Sequence, residues 1–457
     1  MTHTSTQTDE LRKLALEHLW MHNVDWTEME RAGEPLMITG GEGLRVTDSE
    51  GNQWIDVNGG YASVIVGYGR QEIADAAYEQ LSQIAYFPMR TAPPATIRLA
   101  AKLAEITPGS LSRTFFVSGG SEANETALKI VRAFHHRRGD TNRYKIISRR
   151  GSYHGATGGV LWLGAVEGSL KDYGPAYPGV LYAPQPNSYR CEFGSQSVSE
   201  CAVRCANAIE ELIVSEGPET VAAVIAEPIA SGPGAAVPGD EYWPMVRDIC
   251  DRFGVLLIAD EIITGFGRTG KLFALEHWDV VPDVLSIAKG MCSTYIPLGA
   301  AVARREITDE FAGDGKYLNH VFTSSGHPVA AAAGLKNIEI IQRDGLVENS
   351  ASMGKYLHGQ LEELRNKHST IGDVRGLGLM QSLEFVADPA TKQRFPAEAK
   401  VQQRLTDNFK QRGLLLRAHG DVIVNLSPPL CITRQDIDEI IAAIDESITA
   451  VESEIRT

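Results

Sequence analysis

The sequence predicts an α/β protein built on a mostly parallel β-sheet. Between about residues 113 and 303, short apolar runs alternate with helical segments. Two of these runs, 221–226 and 255–259, are apolar throughout, as expected for strands that helices cover on both faces. Repeated strand–helix units favour a parallel sheet, and such sheets bind ligands beyond the carboxyl ends of their strands.

The elements of this repeat follow one another at short intervals. The predicted strands are 113–117, 144–148, 179–184, 221–228, 255–261, 283–289 and 298–303, and the clearest helices are 122–137, 200–214 and 241–253.

A second, smaller unit is predicted on both sides of the repeat. Residues 1–30 predict a helical arm, and residues 43–57 predict a β-hairpin. Beyond about residue 330 the helices are longer and the strands fewer, which is typical of an α+β domain. There, segments 376–386 and 421–429 predict strands, and segments 397–412 and 434–453 predict helices.

These patterns predict three consecutive regions. Residues 1–60 form an N-terminal arm and hairpin that belong to the small domain, residues 61–328 form the large ligand-binding domain, and residues 329–457 form the C-terminal small domain. We expect a helix near residues 328–341 to join the large and small domains.

Composition and local sequence pattern disfavour several classes of function. The 457 residues carry a net charge of −15, which disfavours binding to nucleic acid or to an anionic membrane. No signal peptide and no transmembrane run of about 18 apolar residues is predicted. Six scattered cysteines indicate a reduced, cytoplasmic protein. Cys201 and Cys205 have i,i+4 spacing, which indicates one face of a helix more often than a metal site.

Polar residues follow the predicted strands, at the edge where ligands bind. After strand 113–117, the turn that contains Gly120 and Ser121 opens a helix. Free N–H groups and about half a positive charge at a helix N-terminus favour a phosphate. An ordinary strand-to-helix turn capped by Ser121 is an equal alternative.

A carboxylate, an aromatic ring and a lysine follow three other strands. Asp260 ends one apolar run and needs either an ion-pair partner or a ligand. Tyr153 is placed to stack on a planar ligand, although packing within the fold is an alternative. Lys289 follows the apolar run 284–288, where burial would lower the pKa of a lysine unless the side chain reaches water.

Together these groups meet the needs of one small molecule, pyridoxal 5′-phosphate (PLP). Its aldehyde forms a Schiff base with a lysine, its pyridine nitrogen needs a carboxylate, its ring needs a stacking partner and its phosphate needs a helix N-terminus. Glu227, which follows the run 221–226, is a second carboxylate at this edge.

The segment "LLIADEIITGFGRTGKLFALEHWDVVPDVLSIAKGMCSTYIPLGA" resembles the signature of class III PLP-dependent aminotransferases, the ω-transaminase group of fold type I. "SGGSEANETALKIVR", "SYHG", "AEP", "FTSSGHP" and "RGLGLM" resemble further family segments in the same order, so the resemblance covers residues from about 30 to 450. It implies a fold type I transferase with a large, PLP-binding domain and a smaller α+β domain.

The resemblance also implies roles for single residues. Lys289 is the Schiff-base lysine and proton shuttle, and Asp260 pairs with the pyridinium nitrogen. Tyr153 stacks on one face of the PLP ring and contributes to substrate binding, while Ile262 lies against the other face.

Phosphate binding and assembly are implied in the same way. Gly120 and Ser121 hold the phosphate, and Thr323 reaches it from the neighbouring subunit, so the active site needs a homodimer or a dimer of dimers. Glu227 corresponds to an acid near the cofactor.

The implied reaction transfers an amino group from an amine donor to a keto acid by a ping-pong mechanism. Gly232 replaces a glutamate of the ornithine and 4-aminobutyrate branches, which disfavours those substrates. Arg417 resembles the mobile arginine of ω-amino-acid and amine:pyruvate transaminases, with a surface arginine as the alternative. Ala62 predicts a roomy pocket, and Trp20 is predicted at its entrance.

Other functions stay open on the sequence alone. The acceptor could be 2-oxoglutarate in place of pyruvate, and a fold type I mutase or decarboxylase would use the same cofactor groups. A non-catalytic binding protein on the same fold is disfavoured because Lys289 and Asp260 are both present.

Overall fold

The computed structural model of the protein describes residues 5–31, 34–88, 90–164 and 170–456. The helices are α1 (Ser5–His18), α2 (Trp26–Arg31), α3 (Gly59–Ala62), α4 (Gln71–Gln83), α5 (Pro94–Ile106), α6 (Gly120–Arg137), α7 (Val198–Glu216), α8 (Tyr242–Phe253), α9 (Arg305–Thr308), α10 (Pro328–Arg343), α11 (Leu346–Lys367), α12 (Val401–Gln411) and α13 (Arg434–Arg456).

The strands are β1 (Ile38–Glu42), β2 (Arg45–Asp48), β3 (Gln53–Asp56), β4 (Leu111–Val117), β5 (Lys145–Arg149), β6 (Val180–Ala183), β7 (Val221–Ala226), β8 (Leu256–Asp260), β9 (Val284–Ile287), β10 (Gly299–Arg304), β11 (Ile371–Leu377), β12 (Met380–Phe385), β13 (Leu414–Leu415), β14 (Ala418–His419) and β15 (Ile423–Leu426). Short 3-10 helices are Leu161–Leu163, Lys171–Tyr173, Ser188–Arg190, Pro218–Thr220, Ala274–Trp278, Lys289–Met291, Asp309–Phe311 and Ala397–Ala399.

The central sheet has seven strands in the order β4-β10-β9-β8-β7-β5-β6. Strands β6, β5, β7, β8 and β9 pair in parallel, and β10 runs antiparallel to both of its neighbours. Every residue of β7 is buried. The prediction of a mostly parallel sheet with apolar, doubly covered strands is therefore confirmed.

Alternate residues of the central strands enter two different cores. In β8, Leu257 and Ala259 belong to one apolar cluster, whereas Ile258 packs with residues of α6 in the other. Because successive side chains of a strand point to opposite faces, Asp260 lies on the α6 side of the sheet. This alternation brings the last residue of β8 toward the helix that follows β4.

Two smaller sheets complete the fold, in the orders β1-β2-β3-β13 and β11-β12-β15-β14. The predicted hairpin is confirmed as β2 and β3, and β13 pairs in parallel with β3. Sequence segments from both ends of the chain thus share one sheet, and the helix predicted near residues 328–341 is present as α10. The domain boundaries at residues 60 and 328 stay a proposal.

The prediction of one strand over residues 376–386 is wrong. β11 ends at Leu377, β12 begins at Met380, and the two strands pair antiparallel. Gly378 lies in the turn with a φ of 57°, and a Cβ there would collide with the backbone of Thr269. The glycine is needed because the turn is both left-handed and pressed against another segment.

Within the described ranges, no helix combines the length and the apolar character needed to cross a membrane.

Candidate active site

The carboxyl ends of β8 and β9 lie side by side. Asp260 pairs with Ser286 across the two parallel strands, and the chain leaves β9 through Ala288 into Lys289. Parallel pairing therefore brings the predicted carboxylate and the predicted lysine to the same edge of the sheet.

Lys289 occupies an unusual turn in apolar surroundings. Its φ is 27°, a value that residues other than glycine adopt rarely and that occurs often at functional sites. Burial lowers the pKa of Lys289 to about 8, with a contribution from the Arg268 guanidinium, while the Asp260 carboxylate acts in the opposite direction. Among the described residues, no hydrogen-bond or ion-pair partner holds the amine. Near pH 8 a large fraction of this amine is neutral and free to act as a nucleophile or a base.

The Asp260 carboxylate is almost fully buried and held from three directions. Oδ2 accepts a hydrogen bond from Asn124 Nδ2 at 2.8 Å and lies 2.7 Å from His154 Nδ1. Oδ1 accepts from the backbone N–H of Ile262 at 3.1 Å. With only 3% of the residue exposed, the carboxylate has a fixed orientation.

The adjacent carboxylate, Glu261, has a different environment. It accepts hydrogen bonds from the backbone N–H groups of Ala274 and Leu275, each at 3.0 Å, and so caps a 3-10 helix. Burial raises the pKa of Glu261 to about 7. The structure thus separates two neighbouring acids into one at the sheet edge and one that stabilises a local turn.

A second buried acid, Glu227, supports the segment that carries Tyr153. Its Oε1 accepts from the backbone N–H of Tyr153 at 3.2 Å, and its Oε2 lies 3.3 Å from Arg149 Nη2 and 3.9 Å from His154 Nε2. Burial alone would raise the pKa of Glu227, but His154, Arg149 and the Tyr153 N–H outweigh it, so that the pKa is lowered. Glu227 therefore positions the backbone of Tyr153.

The N-terminus of α6 has the features of an anion site. Gly119 precedes the helix with extended backbone, and no side chain in the described ranges caps the free N–H groups. A Cβ built on Gly119 would meet no atom of the described residues within 4 Å, so the backbone borders open space. Ser121 is not the helix cap; its Oγ accepts a hydrogen bond from the N–H of Ala156 at 3.1 Å. Uncapped N–H groups beside open space suit a phosphate.

Gly120 and Ile262 contact one another across the site. A Cβ on Gly120 would lie 2.9 Å from Ile262 Cδ1 and 3.1 Å from its Cγ2. Ile262 is fixed in turn, because its backbone N–H binds Asp260. Tyr153 is about half exposed, and burial together with the nearby Asp260 raises its pKa. Its neutral ring is available for stacking.

Three of the predicted site residues make their contacts away from the residues around Asp260 and Lys289. Thr323 is exposed on the single chain, and its carbonyl accepts a hydrogen bond from Tyr86 Oη. Arg417 lies over the ring of Tyr61, 5.0 Å from the centroid. Trp20 is 82% exposed and packs edge-on against Trp26. Their predicted roles stay predictions.

Sequence reasoning missed Asn124 and His154, which make the closest contacts to Asp260. Asn124 also donates to the carbonyl of His154 at 2.8 Å, so that one side chain ties both groups together. A signal existed for each: Asn124 is one helical turn beyond Gly120, and His154 follows Tyr153.

These residues fit PLP. The uncapped helix N-terminus suits its phosphate, the half-exposed Tyr153 ring suits stacking, the buried Asp260 carboxylate suits a pyridinium, and the Lys289 amine with its lowered pKa suits an aldehyde.

Comparisons with known proteins agree with this geometry. A sequence model of the family described as aminotransferase class-III matches residues 28–448. A putrescine–pyruvate aminotransferase of Pseudomonas aeruginosa is 37% identical over 98% of each chain, and a taurine–pyruvate aminotransferase of Bilophila wadsworthia is 38% identical over 97% of this chain and 98% of its own. The crystal structure of an (S)-enantioselective ω-transaminase from Thermomicrobium roseum superimposes with a TM-score of 0.94, at 38% identity, over 99% of each chain.

The chain belongs to the class III aminotransferases. It is therefore an enzyme of the transferase kind with the fold type I architecture, and its family implies PLP as cofactor, an amine donor and a keto-acid acceptor.

The charge environment of Lys289 gives a first prediction. In PLP-free protein, modification of Lys289 by an amine-specific reagent should rise with pH around a midpoint near 8. Because Asp260 raises the lysine pKa, Asp260→Asn should move this midpoint to lower pH. Peptide mass spectrometry across a pH series measures it, with the exposed Lys271 as the internal reference. An unchanged or higher midpoint in Asp260→Asn would show that the two groups do not interact.

The contact between Gly120 and Ile262 gives a second prediction. Gly120→Ala should push Ile262 out of place and weaken PLP binding by about fivefold or more, since overpacking costs ~1 kcal/mol or more. The double variant Gly120→Ala/Ile262→Ala removes the clash and should bind PLP more tightly than Gly120→Ala alone. Equilibrium dialysis gives the dissociation constants. Wild-type affinity in Gly120→Ala would place the phosphate site elsewhere.

Proposed function

We propose that the enzyme transfers an amino group from an ω-amino acid or a primary amine to a keto acid, with pyruvate as the main acceptor, by a ping-pong mechanism. The observation that carries this proposal is the state of Arg417. Its side chain is exposed, rests on the Tyr61 ring at 5.0 Å and has no carboxylate partner among the described residues. A cation held only by an aromatic face is free to move to a substrate carboxylate.

The neighbourhood of Arg417 connects it to the lysine turn. Tyr61 and Ala62 form a left-handed turn, and the chain then runs to Ile65. The side chain of Ile65 packs closely against Gly290, since a Cβ added to Gly290 would lie 2.9 Å from Ile65 Cγ1. The backbone N–H of Ile65 also donates to Ser293 Oγ at 3.2 Å. The segment that supports Arg417 is therefore packed against the residues that follow Lys289.

Gly232 supports the same branch of the family. Any Cβ at this position would collide with the carbonyl oxygen of Gly151. A glutamate, which the ornithine and 4-aminobutyrate branches carry here, would require the backbone to shift. The chain therefore lacks both that glutamate and the room for it, which favours pyruvate over 2-oxoglutarate.

The residues of the site divide the work of the reaction. PLP, when bound, supplies an aldehyde and a ring that accepts electrons from the substrate carbon. Lys289 Nζ would hold the cofactor aldehyde and would move the α-proton of the substrate, and a lowered pKa of about 8 suits both roles. Asp260 would pair with the ring nitrogen, Tyr153 would orient the ring, and the N–H groups of α6 would hold the phosphate.

We also propose that the enzyme works as a homodimer or a dimer of dimers. Thr323 lies exposed on the single chain, as a residue that serves a neighbouring active site must be. Its carbonyl is anchored by Tyr86, which leaves the hydroxyl available.

The third prediction tests the acceptor and Arg417 together. Single-turnover reactions should show fast amino transfer to pyruvate and slow transfer to 2-oxoglutarate in the wild-type enzyme. Arg417→Ala should slow the pyruvate half-reaction by about two decades, since a charge-assisted bidentate contact contributes ~3 kcal/mol. The half-reaction with a primary amine, which has no carboxylate, should stay nearly unchanged.

Arg412→Ala is the matched control, because Arg412 lies on a neighbouring turn and pairs with Glu446 instead. Equal losses in both half-reactions would make Arg417 structural. Faster transfer to 2-oxoglutarate than to pyruvate would replace the proposed acceptor. With an ω-amino acid as donor, a product that has lost its carboxylate or has been rearranged, without any alanine from pyruvate, would indicate a decarboxylase or a mutase.

A further inference from the structure

Three cysteine thiols lie together in a part of the fold that the transaminase reaction does not use. This thiol cluster consists of Cys191, Cys201 and Cys205, whose sulfur atoms all lie within 4.8 Å of one another. Cys201 and Cys205 are buried on α7, and Cys191 is partly exposed in the loop that follows the 3-10 helix Ser188–Arg190.

The spacing of the sulfur atoms matches a shared metal ion. The Sγ atoms of Cys201 and Cys205 are 3.9 Å apart. Zinc–sulfur bonds are about 2.3 Å long, so two thiolates on one tetrahedral ion lie roughly 3.8 Å apart. The two buried thiols are therefore separated by one edge of a coordination tetrahedron, and Cys191 lies within reach of a third corner.

A disulfide within α7 is a poor alternative. Residues four apart on a helix have Cβ atoms about 5–6 Å apart, whereas a disulfide needs about 3.5–4.5 Å. Closing that gap would unwind the first turns of α7, which Ser197 caps through a hydrogen bond from the N–H of Glu200 at 3.1 Å. The intact helix holds Cys201 and Cys205 at a distance that suits an ion and not a covalent bond.

We propose that the thiol cluster is a binding site for a thiophilic metal ion, with Zn²⁺ as the ion its geometry favours. Cys191, Cys201 and Cys205 would each lose a proton and bind as thiolates, so that three protons leave as one Zn²⁺ enters. The partly exposed side of Cys191 leaves the fourth position open to water or another small ligand.

Sequence spacing singles out only two of the three thiols of this cluster. Cys201 and Cys205 alone favour one face of a helix, and the third thiol comes from a loop ten residues earlier in the chain. Only the path of that loop, back over the first turn of α7, completes the set.

The expected role of the ion is structural. Next to Cys191, Arg190 Nε donates to Glu384 Oε1 at 2.7 Å, and the carbonyl of Tyr189 accepts from Lys392 Nζ at 2.9 Å. These contacts join the loop to β12 and the segment after it. An ion that fixes Cys191 to α7 would therefore link a helix of the central sheet to the C-terminal part of the chain.

Metal titration of the PLP-loaded enzyme tests the site. After treatment with a chelator under reducing conditions, Co²⁺ should bind with one ion per chain and give thiolate-to-cobalt absorption, and Zn²⁺ should displace it. Cys191→Ser, a partly exposed position, should weaken binding by about a hundredfold or more, because loss of a direct ligand costs at least as much as loss of a supporting contact. Cys201→Ser should do the same.

Cys431→Ser is the matched control, since Cys431 is partly exposed and outside the cluster. It should bind like the wild type. Zn²⁺ should also raise the unfolding temperature of the wild type and of Cys431→Ser, but not of Cys191→Ser. Three results would overturn the proposal: no stoichiometric uptake at micromolar metal, uptake that persists in Cys191→Ser, or a Cys191 disulfide in the purified, unreduced enzyme together with metal-independent stability.

Discussion

The buried carboxylate of Asp260 is the constraint on which the rest of the site depends. A desolvated carboxylate is costly unless hydrogen bonds and a positive charge compensate for the lost water. The structure supplies hydrogen bonds from Asn124, Ile262 and His154, and no lysine or arginine in the described part of the chain forms an ion pair with this carboxylate. A protonated pyridine ring would provide the missing charge in the proposed holoenzyme.

Behind Asp260, a row of buried polar and charged side chains leads into the core. His154 lies between Asp260 and Glu227, and Glu227 lies against the buried Arg149. Arg149 in turn packs over the rings of Tyr242 and Trp243, at 5.8 and 5.7 Å from their centroids. The Glu227–Arg149 ion pair and the hydrogen bond from the Tyr153 N–H to Glu227 stabilise this row in a low-dielectric interior and fix the backbone on which Tyr153 sits.

The environment of Lys289 differs, because no residue in the described part of the chain forms a hydrogen bond or an ion pair with its amine. The strand before it is fully buried, its own φ is left-handed, and Arg268 is close enough to repel an ammonium. Arg268 itself is fixed by the carbonyl groups of Leu379 and Pro428, so the C-terminal part of the chain contributes to the electrostatics of the lysine. Burial removes water from both groups. For Asp260, hydrogen bonds must compensate for the lost water, whereas for Lys289 the loss of water favours the neutral, reactive amine.

Sequence patterns could predict the central sheet and the two residues at the ends of β8 and β9, because a continuous apolar run and the polar residue after it are local features. Asn124 and His154 could not be assigned, since their value depends on where α6 and the loop after β5 meet Asp260 in space. The hairpin at Gly378 was hidden because leucines flank the glycine on both sides, in place of the polar residues that usually mark a turn. Ser121 was a plausible helix cap by sequence, yet its hydroxyl binds Ala156, a contact that only tertiary structure creates.

The most direct measurement concerns the point of attachment of the cofactor. Borohydride reduction of the purified enzyme, followed by peptide mapping with mass spectrometry, identifies the lysine that carries PLP. We expect one phosphopyridoxyl group per chain, on Lys289. Attachment to another lysine, such as the exposed Lys271, or no attachment in enzyme that still turns over, would contradict it.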